Sequence, residues 1–329
     1  MLDIIVTHYK EPWEVGKKFF DMLGLQRGVD FSSFRVLLVN DGEEYALPDL
    51  CFSDYPYTVQ QISIPHGGVS AARNAGLKAA TDKWVMFCDF DDMFSNVYAL
   101  RNMTELLPAP DYDMLWAHLI TEDLLEKNNR LLITPDDSNF VFIHGKMYRR
   151  AFLVENDIWF DEELSFNEDS AFNAVFNTIA NYRRVGELKT FAPPYIWCRR
   201  NNSVTTTPGR IDAATMGHFH RNLKVCEAHK KRLTDERIRG MVTRTVYDTF
   251  YMLHSKLISP IAEKQIEKEF QQFWAENKQY YGNVDADTLK KIQTISFQEL
   301  SNPKKQIYAT VDTVNDWLKK MDNRVNQTV

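Results

Sequence analysis

The sequence predicts an α/β fold with a mostly parallel sheet, followed by a helical C-terminal region. Three observations carry this. Short β-rich apolar runs alternate with helix-periodic segments through the first half of the chain. Several of those runs end in polar or acidic residues, as strands do in sheets that bind ligands beyond their carboxyl edge. Past the Thr/Pro/Gly-rich stretch at 205–210, apolar residues recur only at helical spacing.

Residues 2–6 read as a buried strand. Pro12 stands where a helix begins, and Trp13, Phe19, Phe20 and Leu23 follow at near-helical spacing. Residues 35–39 form the second strand and close in Asn40-Asp41-Gly42; a third is expected at 58–64. Gly67-Gly68 precedes an alanine-rich helix over 69–80. The fourth strand, 83–88, runs straight into Asp89-Phe90-Asp91-Asp92. Further strand-like runs lie at 114–120 and 140–143, and a helix starts at Glu168 with Phe172, Val175, Phe176 and Ile179 as its buried stripe. Three helical stripes follow: Met216 to Cys226, Ile238 to Leu257, and Val311 to Met321. The expected division is 1–210 and 211–329.

Composition narrows the class. The 329 residues are 44% hydrophobic, enough for a sizeable core, and the formal charge of -6 disfavours a sequence-independent grip on duplex nucleic acid. Cys51, Cys88, Cys198 and Cys226 lack metal-ligand spacing and read as free thiols of a reducing compartment. The N-terminus lacks the pattern of a secretory leader, and no run approaches the ~20 apolar residues of a membrane span. A cytoplasmic protein is expected, with peripheral contact to a membrane left open.

Asp89, Asp91 and Asp92 put three carboxylates into four residues directly after a buried strand. They repel one another, and a cation offsets that cost. Continued strand geometry turns Asp89 and Asp91 to one face. Hard oxygen ligands of this kind suit Mg²⁺ or Mn²⁺ on a diphosphate; the alternative is a solvated acidic turn. A second acidic pair, Glu168-Asp169, opens a helix after Asn167, where capping and the helix dipole would explain it. Asp169 also shares a face with Phe172 and Phe176, which turns it toward the domain body.

The stretch Gly68-Val69-Ser70-Ala71-Ala72-Arg73-Asn74-Ala75-Gly76, then about a dozen residues, then the strand ending in Asp89-Phe90-Asp91-Asp92, resembles a GT-A-fold glycosyltransferase of family 2. The resemblance covers about residues 1–205. It implies a Rossmann-like, mixed and mostly parallel sheet flanked by helices, and inverting transfer of a sugar from a UDP-sugar to an acceptor hydroxyl. It implies that Thr7, Tyr9 and Glu11 line the nucleotide pocket, that Asp41 meets the uracil, and that Arg73 lies near the base or diphosphate. Asp91, aided by Asp89 or Asp92, would hold Mn²⁺ or Mg²⁺. Asp169 would be the catalytic base with Glu168 beside it, after a segment like 144–150 and Phe160-Asp161. Arg199, Arg200 and Ser203 would contact the diphosphate, since guanidinium forks suit phosphate oxygens. His144, Trp116 and His118 would border the acceptor, and His218 or His220 would be an additional metal ligand. The acceptor is expected to be a glycan or cell-surface polymer precursor, and the C-terminal helices to recognise acceptor, form a homo-oligomer or touch a membrane surface. One rival is a transferase acting on modified DNA bases, which the acidic balance disfavours. Another is a sugar-nucleotide nucleotidyltransferase, which the non-glycine-rich sequence THYKEPWE opposes.

Overall fold

Strand β1 (Leu2–His8) is buried along nearly its whole length, because sheet neighbours and helices cover both faces. It pairs in parallel with β2 (Phe34–Asp41) and with β4 (Trp84–Asp89), and β2 pairs in parallel with β3 (Thr58–Ile64). The computed structural model describes residues 2–105, 107, 112–125, 130–136, 141–164, 166–180, 184–188, 193–199, 210–230, 234–255, 257–301 and 308–325. The chain divides into two compact units, Met1–Thr206 and Thr207–Val329.

In the first unit a seven-stranded sheet runs β10-β6-β9-β4-β1-β2-β3, with β6 at Met114–Trp116, β9 at Lys146–Arg149 and β10 at Val185–Glu187. Only β9 runs antiparallel to its neighbours there. A four-stranded sheet joins β5 (Met93–Phe94), β11 (Tyr195–Arg199), β7 (Leu119–Leu125) and β8 (Arg130–Asp136) in that order. Helix α1 (Trp13–Gly24) buries Phe19, Phe20 and Leu23 on one side of the large sheet. Helix α2 (Gly68–Ala79) and, after the short helices α3 (Ala99–Thr104) and α4 (Arg150–Glu155), α5 (Glu168–Ala180) join the core on the other, where Ile5, Val39, Phe87, Phe172 and Phe176 meet. Gly76 lets α2 approach closely, since a Cβ there would lie 2.3 Å from the Ile5 side chain. This mixed, mainly parallel sheet between helices is the GT-A arrangement.

Two expected strands differ. The run at 114–120 is not one strand but breaks at Ala117-His118, so that β6 enters the large sheet and β7 the small one. The break follows from a neighbour. The Ala117 N–H donates to the Gly145 carbonyl at 2.8 Å, and Gly145 has φ +67° and sits where a Cβ would come within 2.9 Å of the Ala117 oxygen. The run at 140–143 is not a strand at 141–143, and Phe140 lies outside the described residues. Its carbonyls are taken by side chains instead of a ladder: Asn173 Nδ2 donates to Val141 O and Phe142 O at 3.0 and 2.9 Å.

The second unit is helical: α6 (Arg210–Lys230), α7 (Asp235–His254), α8 (Pro260–Asn277), α9 (Ala286–Leu300) and α10 (Val311–Val325). Phe219, Val246, Phe250, Phe270 and Trp317 lie in its apolar core. None of the described helices is long and apolar enough to cross a membrane. At the centre of α7, fully buried Asp248 accepts from His218 at 3.1 Å, Asn222 at 2.9 Å, Arg244 at 2.7 Å and the Ser296 hydroxyl, so one carboxylate ties α6, α7 and α9 together. Burial works to raise this carboxyl, but the bond from His218 and the Arg244 charge outweigh it and hold it below its ordinary value. Removing one member of a buried charged network strands its partners. Asp248→Ala is therefore expected to cost about 3–5 kcal/mol of stability in urea unfolding; a loss under about 1 kcal/mol, the scale of an exposed pair, would show the network to be incidental.

Candidate active site

The register of β1 against its neighbours sets Thr7 opposite Val39 and Asp89, so the carboxyl ends of β1, β2 and β4 finish side by side. His8, Asp41 and Asp89 are the last residues of those strands. The Thr7 hydroxyl donates to Asp89 Oδ1 at 3.3 Å. Past Asp89 the chain turns, and Asp92 ends up fully buried. The Tyr195 hydroxyl and the Cys198 N–H, both on β11, donate to its two carboxylate oxygens at 2.8 and 2.9 Å.

Arg73 joins this cluster to the second acidic pair. It sits on α2 with 3% of its surface exposed. One terminal nitrogen donates to Asp89 Oδ1 at 3.1 Å and the other to Glu168 Oε1 at 2.9 Å, while the guanidinium lies over the Phe160 ring. Asn74, one residue on, exchanges two 2.9 Å bonds with the backbone of Phe160, and Phe160 stacks on Phe172 at 4.1 Å. Helix α2 thereby fixes where α5 begins and where Glu168 and Asp169 stand. Asn167 enters α5 with φ +62°, and its carbonyl accepts from the Ala171 N–H at 2.9 Å.

His144 closes the other side. Its Nε2 is 3.0 Å from Asp89 Oδ2 and 3.5 Å from Asp92 Oδ2, and its ring stacks on Tyr195 at 5.3 Å. His144, expected with Trp116 and His118 at the acceptor border, is packed by the fold against the strand-end carboxylates. Trp116 meets His118 edge-on at 5.2 Å, and His118 Nε2 is 3.4 Å from Glu187. His218 and His220 have carboxylate partners within their own unit, Asp248 at 3.1 Å and Glu269 at 2.7 Å.

Electrostatics divide the carboxylates. Burial works to raise Asp89, but the adjacent Arg73 guanidinium and the His144 ring outweigh it and hold that carboxyl well below the usual range. Burial pushes Asp92 upward, and the charges of Asp89 and Asp91 add to it against His144. Burial and then the Glu168 charge push Asp169 up to about 7, against the pull of Arg73 and His144. Among the described residues Asp89, Asp92 and His144 offer ligand atoms all within 4.8 Å of one another, a set of two carboxylates and an imidazole that fits a divalent ion of the Mn²⁺ type. Asp91, partly buried between the two other aspartates, is outside that trio.

The edge near β2 carries the remaining candidates. Both oxygens of buried Asp41 are engaged: Gly67 N–H and Gly68 N–H, at the start of α2, donate at 2.7 and 3.0 Å, and His66 Nδ1 lies at 2.9 Å. The Tyr9 ring stacks flat on His66 at 4.3 Å, with Tyr45 edge-on at 5.2 Å. Glu11 accepts from the Tyr9 N–H at 2.9 Å. His66 was missed in the sequence, although its place between a strand end and Gly67-Gly68 was a signal for it. Arg199 ends β11 with its guanidinium 4.5 Å from the Trp197 ring centre. Arg200 and Ser203 lie outside the described residues.

Comparison with known proteins matches this architecture. Uncharacterized glycosyltransferase EpsJ of Bacillus subtilis (strain 168) is 27% identical over 199 residues, 54% of this chain and 56% of that protein. Minor teichoic acid biosynthesis protein GgaA of the same organism is 29% identical over 187 residues, 51% of this chain and 42% of that protein. The chain thus spans about half the length of the curated relatives it matches. The crystal structure of S. aureus TarS 1-349 in complex with UDP-GlcNAc shares the fold at a TM-score of 0.62 and 18% identity, covering 90% of this chain and 91% of that one. The glycosyl transferase family 2 model matches residues 3–179, more than half of the 329 present, and the chain belongs to that family.

Proposed function

We propose that the chain is an inverting glycosyltransferase that moves a sugar from a UDP-sugar to a hydroxyl of a glycan or cell-surface polymer precursor. The observation that carries this reading is the buried Arg73 bridge, which ties the strand-end acid Asp89 to Glu168 and so sets Asp169 beside a site for an anionic donor. A carboxyl held up to about 7 by burial and by Glu168 is matched to a base working near neutrality. Asp169 takes the proton of the acceptor hydroxyl as its oxygen attacks the anomeric carbon. The bond from that carbon to the diphosphate breaks on the opposite face, its electron pair leaves with UDP, and the configuration inverts.

Asp91, with Asp89 or Asp92, is the proposed holder of Mn²⁺ or Mg²⁺. The carboxylates around Arg73 and His144 outnumber the cationic groups, which favours a divalent ion there. A divalent ion held by these residues would supply charge that neutralises the departing diphosphate. Thr7, Tyr9, Glu11 and Asp41 form the proposed nucleoside side, where the flat Tyr9–His66 stack provides aromatic surface for a base. Arg199, Arg200 and Ser203 are assigned to the diphosphate, and Trp116 and His118 to the acceptor border. The UDP-GlcNAc complex of a similar structure supports a UDP-sugar donor, and the teichoic acid relative supports a cell-wall-type acceptor. The C-terminal helices are assigned to acceptor recognition or homo-oligomer formation, in a cytoplasmic protein with peripheral access to the membrane.

Three outcomes test this. Asp169→Asn is expected to lower transfer by at least about 10²-fold while UDP binding stays near wild type by calorimetry; wild-type turnover would remove the base from Asp169. Because Asp169 acts ionised and titrates near 7, kcat/KM is expected to fall about tenfold per pH unit below that value and to level off above it. A profile flat from pH 5 to 8 would contradict the assignment. Asp91→Ala is expected to abolish the part of UDP binding that depends on added Mn²⁺, and undiminished cation-dependent affinity would sink that role.

A further inference from the structure

The geometry around the His144 ring is specific. His144 comes from the loop before β9, in a place fixed by the left-handed Gly145 and its bond to Ala117. Its side chain is 5% exposed. Tyr195 and Trp197 stack on the ring at interplanar angles of 13° and 21°, which sets the plane of the imidazole. Nδ1 is buried without a hydrogen-bond partner among the described residues, so the polar commitment of the ring is its Nε2 edge. That edge is turned to two carboxylates from a different segment, 3.0 Å from Asp89 Oδ2 and 3.5 Å from Asp92 Oδ2. Two ligands about 2.1 Å from a common ion and at right angles stand about 3 Å apart. In this structure the 3.0 Å pair is a hydrogen bond from Nε2 to Asp89, and an ion of that spacing takes the place of its proton, which is released to solvent as the ion binds. Asp92 is held in place by Tyr195 and Cys198, and Asp89 by Thr7 and Arg73, so both oxygen donors are positioned in advance.

We propose that His144 binds the divalent cation directly through Nε2, joining the carboxylate holders already proposed, Asp91 with Asp89 or Asp92, in a mixed oxygen–nitrogen site that takes Mn²⁺ in preference to Mg²⁺. This rests on the cation-dependent reading and adds a ligand to the strand-end carboxylates. An imidazole donor suits a transition-metal ion, whereas Mg²⁺ takes oxygen ligands and keeps its waters. The choice of ion is then written into the chain by a residue outside the acidic cluster.

Pulsed electron paramagnetic resonance of Mn²⁺ bound to the full chain with UDP tests it. Wild-type protein is expected to show coupling from one directly bound nitrogen, altered by ¹⁵N-histidine labelling. His144→Gln is expected to remove that coupling and to weaken Mn²⁺ at least about tenfold, since even outer-shell partners contribute that much. Mg²⁺ affinity should change less than about threefold, because oxygen ligands dominate its binding. His144→Asn replaces this variant if it does not fold. Bound Mn²⁺ without histidine coupling, or coupling that persists in His144→Gln and vanishes in His220→Gln, overturns the assignment and leaves the cation reading standing. Failure of Mn²⁺ to bind with UDP overturns both.

Discussion

One guanidinium sets the terms for the rest of the site. Arg73 is almost fully buried, and a charge in that position costs several kcal/mol unless opposite charges and hydrogen bonds meet it. Asp89 and Glu168 meet it, from a strand end and from the first turn of a helix that is distant in sequence. Neither acid is an ornament of its own element. Each is fixed by the need to satisfy the same cation, and the forked geometry of arginine fixes their relative directions, which a lysine would not do. Asn74 and the Phe160–Phe172 stack then hold α5 at the distance the bridge requires.

The same cation sorts the protonation states. Asp89, in direct contact with Arg73, stays ionised, while Asp169 is raised by burial and then by the Glu168 charge, against a weaker pull from Arg73. Two acids in one desolvated pocket are thereby driven apart in acidity, one toward holding charge and one toward accepting a proton. Asp92 is raised for the same kind of reason, by burial together with the charges of two other aspartates, Asp89 and Asp91. A surplus of carboxylate of this size is expensive in a closed core and is tolerable where positive charge arrives with the ligand.

Much of this was legible in the sequence because it is local. Strand ends, the glycines before α2, the clustered aspartates and the Glu168-Asp169 pair all lie within short windows whose periodicity or charge announces them. What escaped is non-local. The run at 114–120 looks like one strand, and only the approach of Gly145 breaks it between two sheets. The sequence offers His144 as an acceptor-side residue, and only the fold reveals that the loop before β9 also packs it against Asp89 and Tyr195. Asp41 reads as a ligand contact, yet its oxygens also anchor the start of α2 through Gly67 and Gly68. In the helical unit Asp248 stands among apolar positions of α7, and nothing within that helix reveals that His218 and Ser296 complete it from α6 and α9.

If Arg73 couples the two acidic halves, its removal must be felt at Asp169. Carboxyl-carbon NMR titration of the Asp169 side chain, in the wild type and in Arg73→Gln, measures this directly. The expected wild-type midpoint is near 7, with a higher one in the variant, because the nearby positive charge that opposes burial is gone. A wild-type midpoint near the ordinary carboxylate value of about 4, or the same midpoint in both proteins, would contradict it.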